Sequence, residues 1–259
     1  MDIWAFLKGL IEREKAAIWA GQIDPGRTPG SPPAVPLEAE KHYFRLWLIE
    51  MSLPYRGKWF RDYYPAVQSL VQLEYGPQQR PDLPGIIGPS RLPGVTESQL
   101  GRVVQMRLPL TPLLPFKGGK VEVEVGLFAA LAKDYAQSFL KVLGTFSETL
   151  HVPQLSAALG VAGPLLNGVN EFLGAKMANL EAAFHTSFTG GPGSPNPLQS
   201  GYWATYRDPD KRYPPKPDLW VLRDGVSVGK TADKARPLRD VPYLLVQVEA
   251  TTDRDDFGN

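Results

Sequence analysis

The chain has 259 residues, enough for one large β-rich domain or two small ones whose cores need no covalent staples. Its 28 basic and 27 acidic side chains are interspersed, so no basic tract indicates nucleic-acid binding, and the lack of cysteine excludes disulfides and thiolate metal sites. The three histidines do not have the spacing of zinc ligands. Because the N-terminus is unlike a signal peptide, we expect a cytoplasmic protein.

The first twenty residues have the pattern of an amphipathic helix. Asp2 can cap this helix, and apolar side chains recur at helical spacing as far as Ile18. The side chains that such an arm would offer to a partner are Ile3, Trp4, Phe6, Leu7, Leu10 and Ile11. Residues 21–36 are rich in proline and glycine and predict a linker. The sequence therefore predicts a detachable arm over 1–20, with a helix docked on its own domain as the alternative.

Residues 37–259 predict a β-sandwich domain. In residues 43–53, Phe44 and Leu48 fall on one face and Met51 on the other, a period of two that indicates a strand, with a helix from Leu37 as the competing interpretation. The other predicted strand segments are 66–76, 102–110, 120–128, 181–188, 201–207, 219–229 and 242–251. Short strands at close spacing, without alternating helices, indicate an antiparallel sandwich of C2-like or Greek-key type.

Two strand segments carry more detailed expectations. In residues 120–126, three valines oppose Glu122 and Glu124, which predicts a strand with one face in water. In residues 219–229, the dipeptide Asp224-Gly225 predicts the turn of a hairpin.

Between about residues 128 and 180 the apolar period changes to that of a helix. The pattern predicts a helical hairpin inserted between two strands. Its second helix carries one apolar seam, consisting of Leu155, Leu159, Leu166, Val169 and Leu173, and a back rich in glycine. Such a seam fits packing on the protein's own core, contact with a partner or a second copy, or a metastable hairpin that enters lipid.

Two sequence patterns imitate catalytic motifs and fail on their context. Residues 225–229 match G-x-S-x-G, but no histidine follows Ser227, and a hairpin strand with an incidental serine is the better interpretation. Residues 225–231 are one residue short of a phosphate-binding loop, and the preceding Asp224 would repel a phosphate, so we expect no nucleotide binding. The sequence leaves the question of an enzyme open and leans against one.

Aspartates that follow predicted strands form the one candidate metal site. These aspartates are Asp208, Asp210, Asp253, Asp255 and Asp256. Their spacing resembles that of the loop carboxylates in C2-like membrane-binding sandwiches, although the rest of the chain does not match that family. The resemblance implies a calcium site; solvated loop charges are the alternative, which the adjacent lysine and arginines favour.

These patterns together predict a non-enzymatic protein-interaction or assembly module that belongs to a larger bacterial complex. The expected partner is another protein or a second copy of the chain, bound by the arm or by the seam of the insertion, without a cofactor. The alternative function is a membrane-active effector, pore-forming or membrane-binding, that uses the 128–180 hairpin.

Overall fold

Three antiparallel sheets make up the part of the protein that the computed structural model describes, namely residues 9, 12, 16–52, 54, 63–74, 82–87, 104–131, 178–189, 193–223 and 225–252. The strands are β1 (Ile18–Gln22), β2 (Tyr43–Ser52), β3 (Tyr63–Leu73), β4 (Asp82–Ile87), β5 (Val104–Pro109), β6 (Leu114–Pro115), β7 (Lys120–Leu131), β8 (Ala178–Thr189), β9 (Gly201–Arg207), β10 (Leu219–Leu222), β11 (Gly225–Val228), β12 (Arg236–Pro237) and β13 (Tyr243–Thr251). The central sheet has the order β1-β9-β13-β2-β5, with β6 also paired to β2. The second sheet is β4-β3-β7-β8, and the small sheet is β10-β11-β12.

The main core lies between the central and second sheets. Alternate residues of each strand point into it, as the period of two predicts: Phe44, Leu46 and Leu48 from β2 meet the valines of β7. The inward residues of β13, Leu244 and Val246, belong to the same core. The predicted sandwich is thereby confirmed at the level of a mainly β, sandwich-like fold.

A second core lies on the opposite face of the central sheet, beneath the small sheet. Leu219 and Val226 of the small sheet pack there against Tyr206 and Leu245 of the central sheet. The central sheet is therefore buried on both faces over part of its area, and its strands carry apolar residues in both directions there.

A β-bulge in β2 changes which residues point toward each core. In the pairing with β13, Leu48 lies opposite Val246 and Glu50 lies opposite Leu245, so Ile49 is the extra residue. Beyond the bulge the alternation is reversed: Met51 joins the main core, although the uninterrupted pattern predicted it on the other face. The bulge also turns Glu50 toward the small sheet.

Glu50 is a buried carboxylate that joins the central and small sheets. Its side chain is 2% exposed and accepts hydrogen bonds from the backbone N–H of Val226, at 3.1 Å, and from the hydroxyl of Tyr243. Gly225, with a φ of 103°, lets the β10–β11 hairpin approach this carboxylate, because a Cβ atom there would overlap Glu50 Oε1. The hairpin itself was predicted correctly, but Gly225, which was predicted as part of the turn, is the first residue of β11 and pairs with Leu222.

The predicted helical elements are wrong. The described residues contain no α-helix of seven or more residues; besides two short 3-10 turns, only Gly9 and Glu12 have helical backbone. At the ends of the predicted hairpin, β7 runs to Leu131 and β8 begins at Ala178, and the two strands pair with each other as far as Ala130 and Ala178. Residues 132–177 lie outside the described residues. The apolar residues at these ends were misassigned because a short apolar run does not separate a buried strand from a helix.

The N-terminal helix of the predicted fold is corrected in the same way. Ile18, which closed its apolar face, lies in β1, where it pairs with Arg207 of β9. Of residues 1–15 the structure describes only Gly9 and Glu12. Ile18 is β-branched and Trp19 is aromatic, and both residue types are common in strands. Pairing with β9 therefore favours a strand over a helix at these residues.

The outer face of the second sheet also differs from its prediction. Glu124, expected in water, is 2% exposed, and its Oε1 lies 2.9 Å from Nδ1 of His185 on the neighbouring strand. Gln68, Leu70 and Phe128 on the same face are buried as well. The alternation of valine and glutamate therefore predicted the strand correctly. Its prediction that the face with Glu124 is in water was wrong.

Replacing Glu50 by alanine tests its role in joining the sheets. Glu50→Ala leaves the Val226 N–H and the Tyr243 hydroxyl buried without an acceptor, so we expect the free energy of unfolding to fall by ~3 kcal/mol. Urea unfolding measures this change. Glu38→Ala, which removes only an exposed ion pair with Lys41, should cost about 0.5 kcal/mol or less. Equal losses in the two variants would contradict the role of Glu50.

A pair of glycine substitutions tests the close approach of the hairpin. Gly225 and Gly193 both have positive φ, but a Cβ at Gly193 meets no atom within 4 Å. Both Gly→Ala variants are strained by ~1 kcal/mol, and Gly225→Ala should lose at least ~1 kcal/mol more because of the overlap with Glu50. Denaturant midpoints compare them; similar losses would show that Glu50 does not restrict this position.

Candidate functional site

An open cleft of about 630 Å³ lies on the same face of the central sheet as the small sheet, over the part of that face that the small sheet does not cover. Its floor is formed by residues of β5, β9 and β13, including Arg107, Tyr202 and Gln247. One wall is the segment 23–35, and His42 with residues 251–252 lines another part. We call this feature the sheet cleft. Its size is within the range of pockets that bind small ligands or a short stretch of polypeptide.

Most of the wall of the sheet cleft belongs to the segment predicted as a linker. It begins at Ile23, which is buried in the second core, and continues through a 3-10 turn (Pro25–Arg27) capped by the side chain of Asp24. At its far end, Val35 exchanges hydrogen bonds with Ser200: the Val35 N–H donates to Ser200 Oγ at 2.9 Å, and the Ser200 N–H donates to the Val35 carbonyl at 3.0 Å. Both ends of the wall are therefore attached to the sandwich.

A charged cluster formed by β2, β5 and β13 contributes Arg107, Gln247 and Glu249 to the floor. Arg107 forms an ion pair with Glu249 Oε1 at 2.7 Å and donates to Gln247 Oε1 at 3.1 Å. Its guanidinium carbon also lies 4.3 Å from the centroid of the Trp47 ring, while the indole N–H of Trp47 donates to Glu249 Oε2 at 2.6 Å. Four contacts among these side chains thus hold a half-exposed guanidinium group in place.

His42 adds a hydrogen-bond donor to the lining. Its Nδ1 accepts the backbone N–H of Glu38 at 2.8 Å, so in the neutral ring the proton lies on Nε2. Ser200 similarly accepts at its oxygen from Val35 and keeps its hydroxyl hydrogen.

The structure does not bring the described aspartates together as a calcium site. Asp208 is buried and accepts the backbone N–H of Tyr213 at 2.8 Å, while Asp210 forms an ion pair with Arg212 at 2.5 Å. No group of three or more His, Asp or Glu side chains is placed to hold a metal ion among the described residues. Asp253, Asp255 and Asp256 lie outside them.

The predicted partner-binding side chains also lie outside the described part of the chain. They are Ile3, Trp4, Phe6, Leu7, Leu10 and Ile11 of the arm, and Leu155, Leu159, Leu166, Val169 and Leu173 of the insertion. Both surfaces remain predictions. Within the described ranges, no helix is long and apolar enough to cross a bilayer.

Ser227, the serine of the G-x-S-x-G pattern, lies on strand β11 as the hairpin interpretation predicted. It is 1% exposed, and its hydroxyl lies 3.4 Å from the carbonyl oxygen of Gly225 on its own strand. A nucleophile elbow requires an exposed serine on a tight turn from a strand to a helix.

Sequence reasoning missed the sheet cleft and its charged cluster. The cluster joins three strands that are distant in the sequence. Glu249 of β13 is 202 residues from Trp47 and 142 residues from Arg107. The available signal was modest: polar and aromatic side chains on the outward positions of β2 and β13. The strand order that brings these side chains together cannot be inferred from the local sequence of β2 or of β13.

Comparison with known proteins adds no family. The sequence matches no protein-family model, and no curated protein or solved structure matches it significantly.

Alkaline titration tests the packing around the Asp208 loop. Burial and the nearby Asp208 raise the pKa of Tyr206 to about 12, and burial with Asp240 raises the pKa of Tyr213. Unfolded tyrosines lose their proton near pH ~10, so above that pH the unfolded state binds fewer protons and the free energy of unfolding falls as pH rises. The stabilisation is complete below this pH and is lost toward the folded pKa.

The corresponding variant is Tyr206→Phe. It should reduce the fall in the free energy of unfolding between pH ~10 and the folded pKa of about 12. Urea unfolding at several alkaline pH values, with tyrosinate absorbance as a direct readout, measures the difference. An unchanged slope in this variant would show that Tyr206 titrates as it does in the unfolded chain.

Proposed function

We propose that the chain is a non-enzymatic protein-interaction module that binds a segment of its partner in the sheet cleft. The observation that carries the proposal is the cleft itself: an open depression on a rigid sheet, with a wall anchored at both ends and polar groups already held in position. Binding surfaces of this kind lose little conformational freedom when a partner docks.

The chemistry of the cleft favours binding over catalysis. Glu249 is the one acidic side chain among the described lining residues, and both of its oxygens accept hydrogen bonds. His42 uses Nδ1 to accept a backbone N–H. A general acid–base pair needs two titratable groups directed at one reacting atom, and these two are instead engaged with the protein.

The composition of the wall supports a protein as the partner. Pro32, Pro33 and Val35 are exposed along it, and Val35 is 44% exposed. Proline keeps the backbone extended and reduces the entropy lost on binding. We propose further that the partner is another component of an assembly to which this chain belongs.

Site-specific crosslinking tests the proposal. A benzoylphenylalanine residue placed at Val35 should give a discrete crosslinked product with a protein of the source cells, whereas the same group at Lys216, exposed and outside the cleft lining, should not. Arg107→Glu should abolish the product from Val35 because it reverses the charge at the floor. Identical product patterns at the two positions, or a pattern insensitive to Arg107→Glu, would contradict the proposal.

A further inference from the structure

We infer that β1 is an interaction edge that pairs with the β1 of a second copy of this chain, antiparallel and about a two-fold axis at Ala20. The central sheets of the two copies then continue into each other across this edge. The inference is independent of the proposed function, because the residues that carry it do not line the sheet cleft. These residues are Ile18, Ala20 and Gln22.

The first support is the direction of the backbone groups of β1. This strand ends the central sheet and pairs with β9 on one side. At one end of the ladder, the Ile23 N–H donates to the carbonyl of Tyr202, directly opposite, at 2.9 Å. At the other end, the Asp208 N–H donates to the carbonyl of Ala17 at 2.6 Å. Because bonded and non-bonded pairs alternate in an antiparallel ladder, the even-numbered residues of β1 direct their N–H and C=O groups away from β9.

The second support is that these outward groups are open. Ala20 is exposed, and Ile18 and Gln22 are half-buried. Within the ranges that the structure describes, the three residues use no backbone N–H or C=O group in a hydrogen bond on that side. A row of unpaired backbone groups at a sheet edge is a template for another strand. An added antiparallel strand can form about six hydrogen bonds with these three residues.

The third support is the neutrality of the edge. Natural edge strands avoid one another through charged side chains, proline or bulges. Residues 16–23 contain no charged side chain and no proline, and the β1–β9 register has no bulge. Two copies of this edge therefore meet without like-charge repulsion. A charged strand would instead lose its hydration without gaining an opposite charge on β1.

A second copy fits this edge better than a free peptide segment. The β1 of a copy is already extended and held by β9, whereas a free segment loses backbone freedom when it becomes a strand. A two-fold axis also closes the assembly, because each copy uses its β1 edge once and leaves none for a third copy. The expected product is therefore a dimer and not a fibre.

The axis lies at Ala20 because this register pairs every outward residue of β1. Ala20 then lies opposite Ala20 of the partner subunit, and Ile18 lies opposite Gln22 of the partner subunit. Moving the axis to Trp19 or Gly21 would leave one outward residue opposite a position outside β1. The register with the axis at Ala20 therefore forms the most hydrogen bonds.

Sedimentation equilibrium of the full chain is the first test. The chain should show a reversible monomer–dimer equilibrium, with the average mass rising above 28.6 kDa as the concentration increases. Ala20→Pro removes the N–H at the axis and leaves the ladder to β9 intact, because that N–H points away from β9. This variant should raise the dimer Kd at least about tenfold. The matched control Ala20→Thr keeps the N–H and should keep the dimer.

Ala20→Lys tests the same position without restricting the backbone. In the dimer it places two like charges opposite each other, and in the monomer it adds one exposed side chain. The variant should therefore weaken the dimer, and about 0.5 M NaCl should restore much of the affinity because salt screens the repulsion. Urea midpoints of monomeric samples should be the same for this variant and the original chain.

Single cysteines test the register, since the chain has none of its own. Ala20→Cys should oxidise to a disulfide-linked dimer, because the Cα atoms of a bonded pair lie about 5.5 Å apart. Ile18→Cys and Gln22→Cys should each stay unlinked alone and should crosslink when the two variants are mixed.

Each other outcome overturns the inference. A chain that keeps the monomer mass up to about 0.1 mM does not pair through this edge. A dimer that both Ala20→Pro and Ala20→Lys leave unchanged uses another surface. Crosslinking of Ile18→Cys alone to the same extent as in the mixture contradicts the axis. The proposed function fails separately, if the crosslink at Val35 is absent.

Discussion

The buried carboxylate of Glu50 joins the small sheet to the central sheet, and the central sheet also carries the cleft. A charge removed from water requires partners, and Glu50 finds them in Tyr243 on its own sheet and in the Val226 N–H of the small sheet. The small sheet therefore has one favourable position over the central sheet. Burial and the adjacent carboxylate raise the pKa of Tyr243 above its ordinary value, so this phenol stays a donor at neutral pH.

Arg27 connects the small sheet to the wall of the cleft. This side chain forms an ion pair with Asp218, just before β10, at 2.6 Å and lies over the ring of Trp220 at 5.7 Å. The wall segment is thus attached to the small sheet at one end and to Ser200 at the other. Glu50 fixes the small sheet on the central sheet, and Arg27 attaches the wall segment to the small sheet. The carboxylate therefore affects the position of the wall through the small sheet.

Local sequence patterns were sufficient to locate most strands and insufficient to locate what depends on pairing. Each of the eight predicted segments overlaps a strand. The strand β4 was missed because Pro84 and Gly85 interrupt it, the two-residue strands β6 and β12 were also missed, and β1 was assigned to the end of a helix and the start of a linker. Met51 was placed on the wrong face because a bulge is invisible in a single strand's alternation. The cleft cluster could not be predicted, because Trp47 and Glu249 become neighbours only through the β2–β13 pairing.

The strand order of the central sheet has a consequence for how the protein folds. The last described strand, β13, lies in the middle of this sheet, between β9 and β2, so the sheet cannot close until the chain has been made almost to its final described residue. The second sheet uses strands from the interior of the chain and has no such delay. During synthesis on the ribosome, β2 and β9 therefore lack their shared neighbour until β13 has been made, and unpaired strand edges with apolar faces favour aggregation.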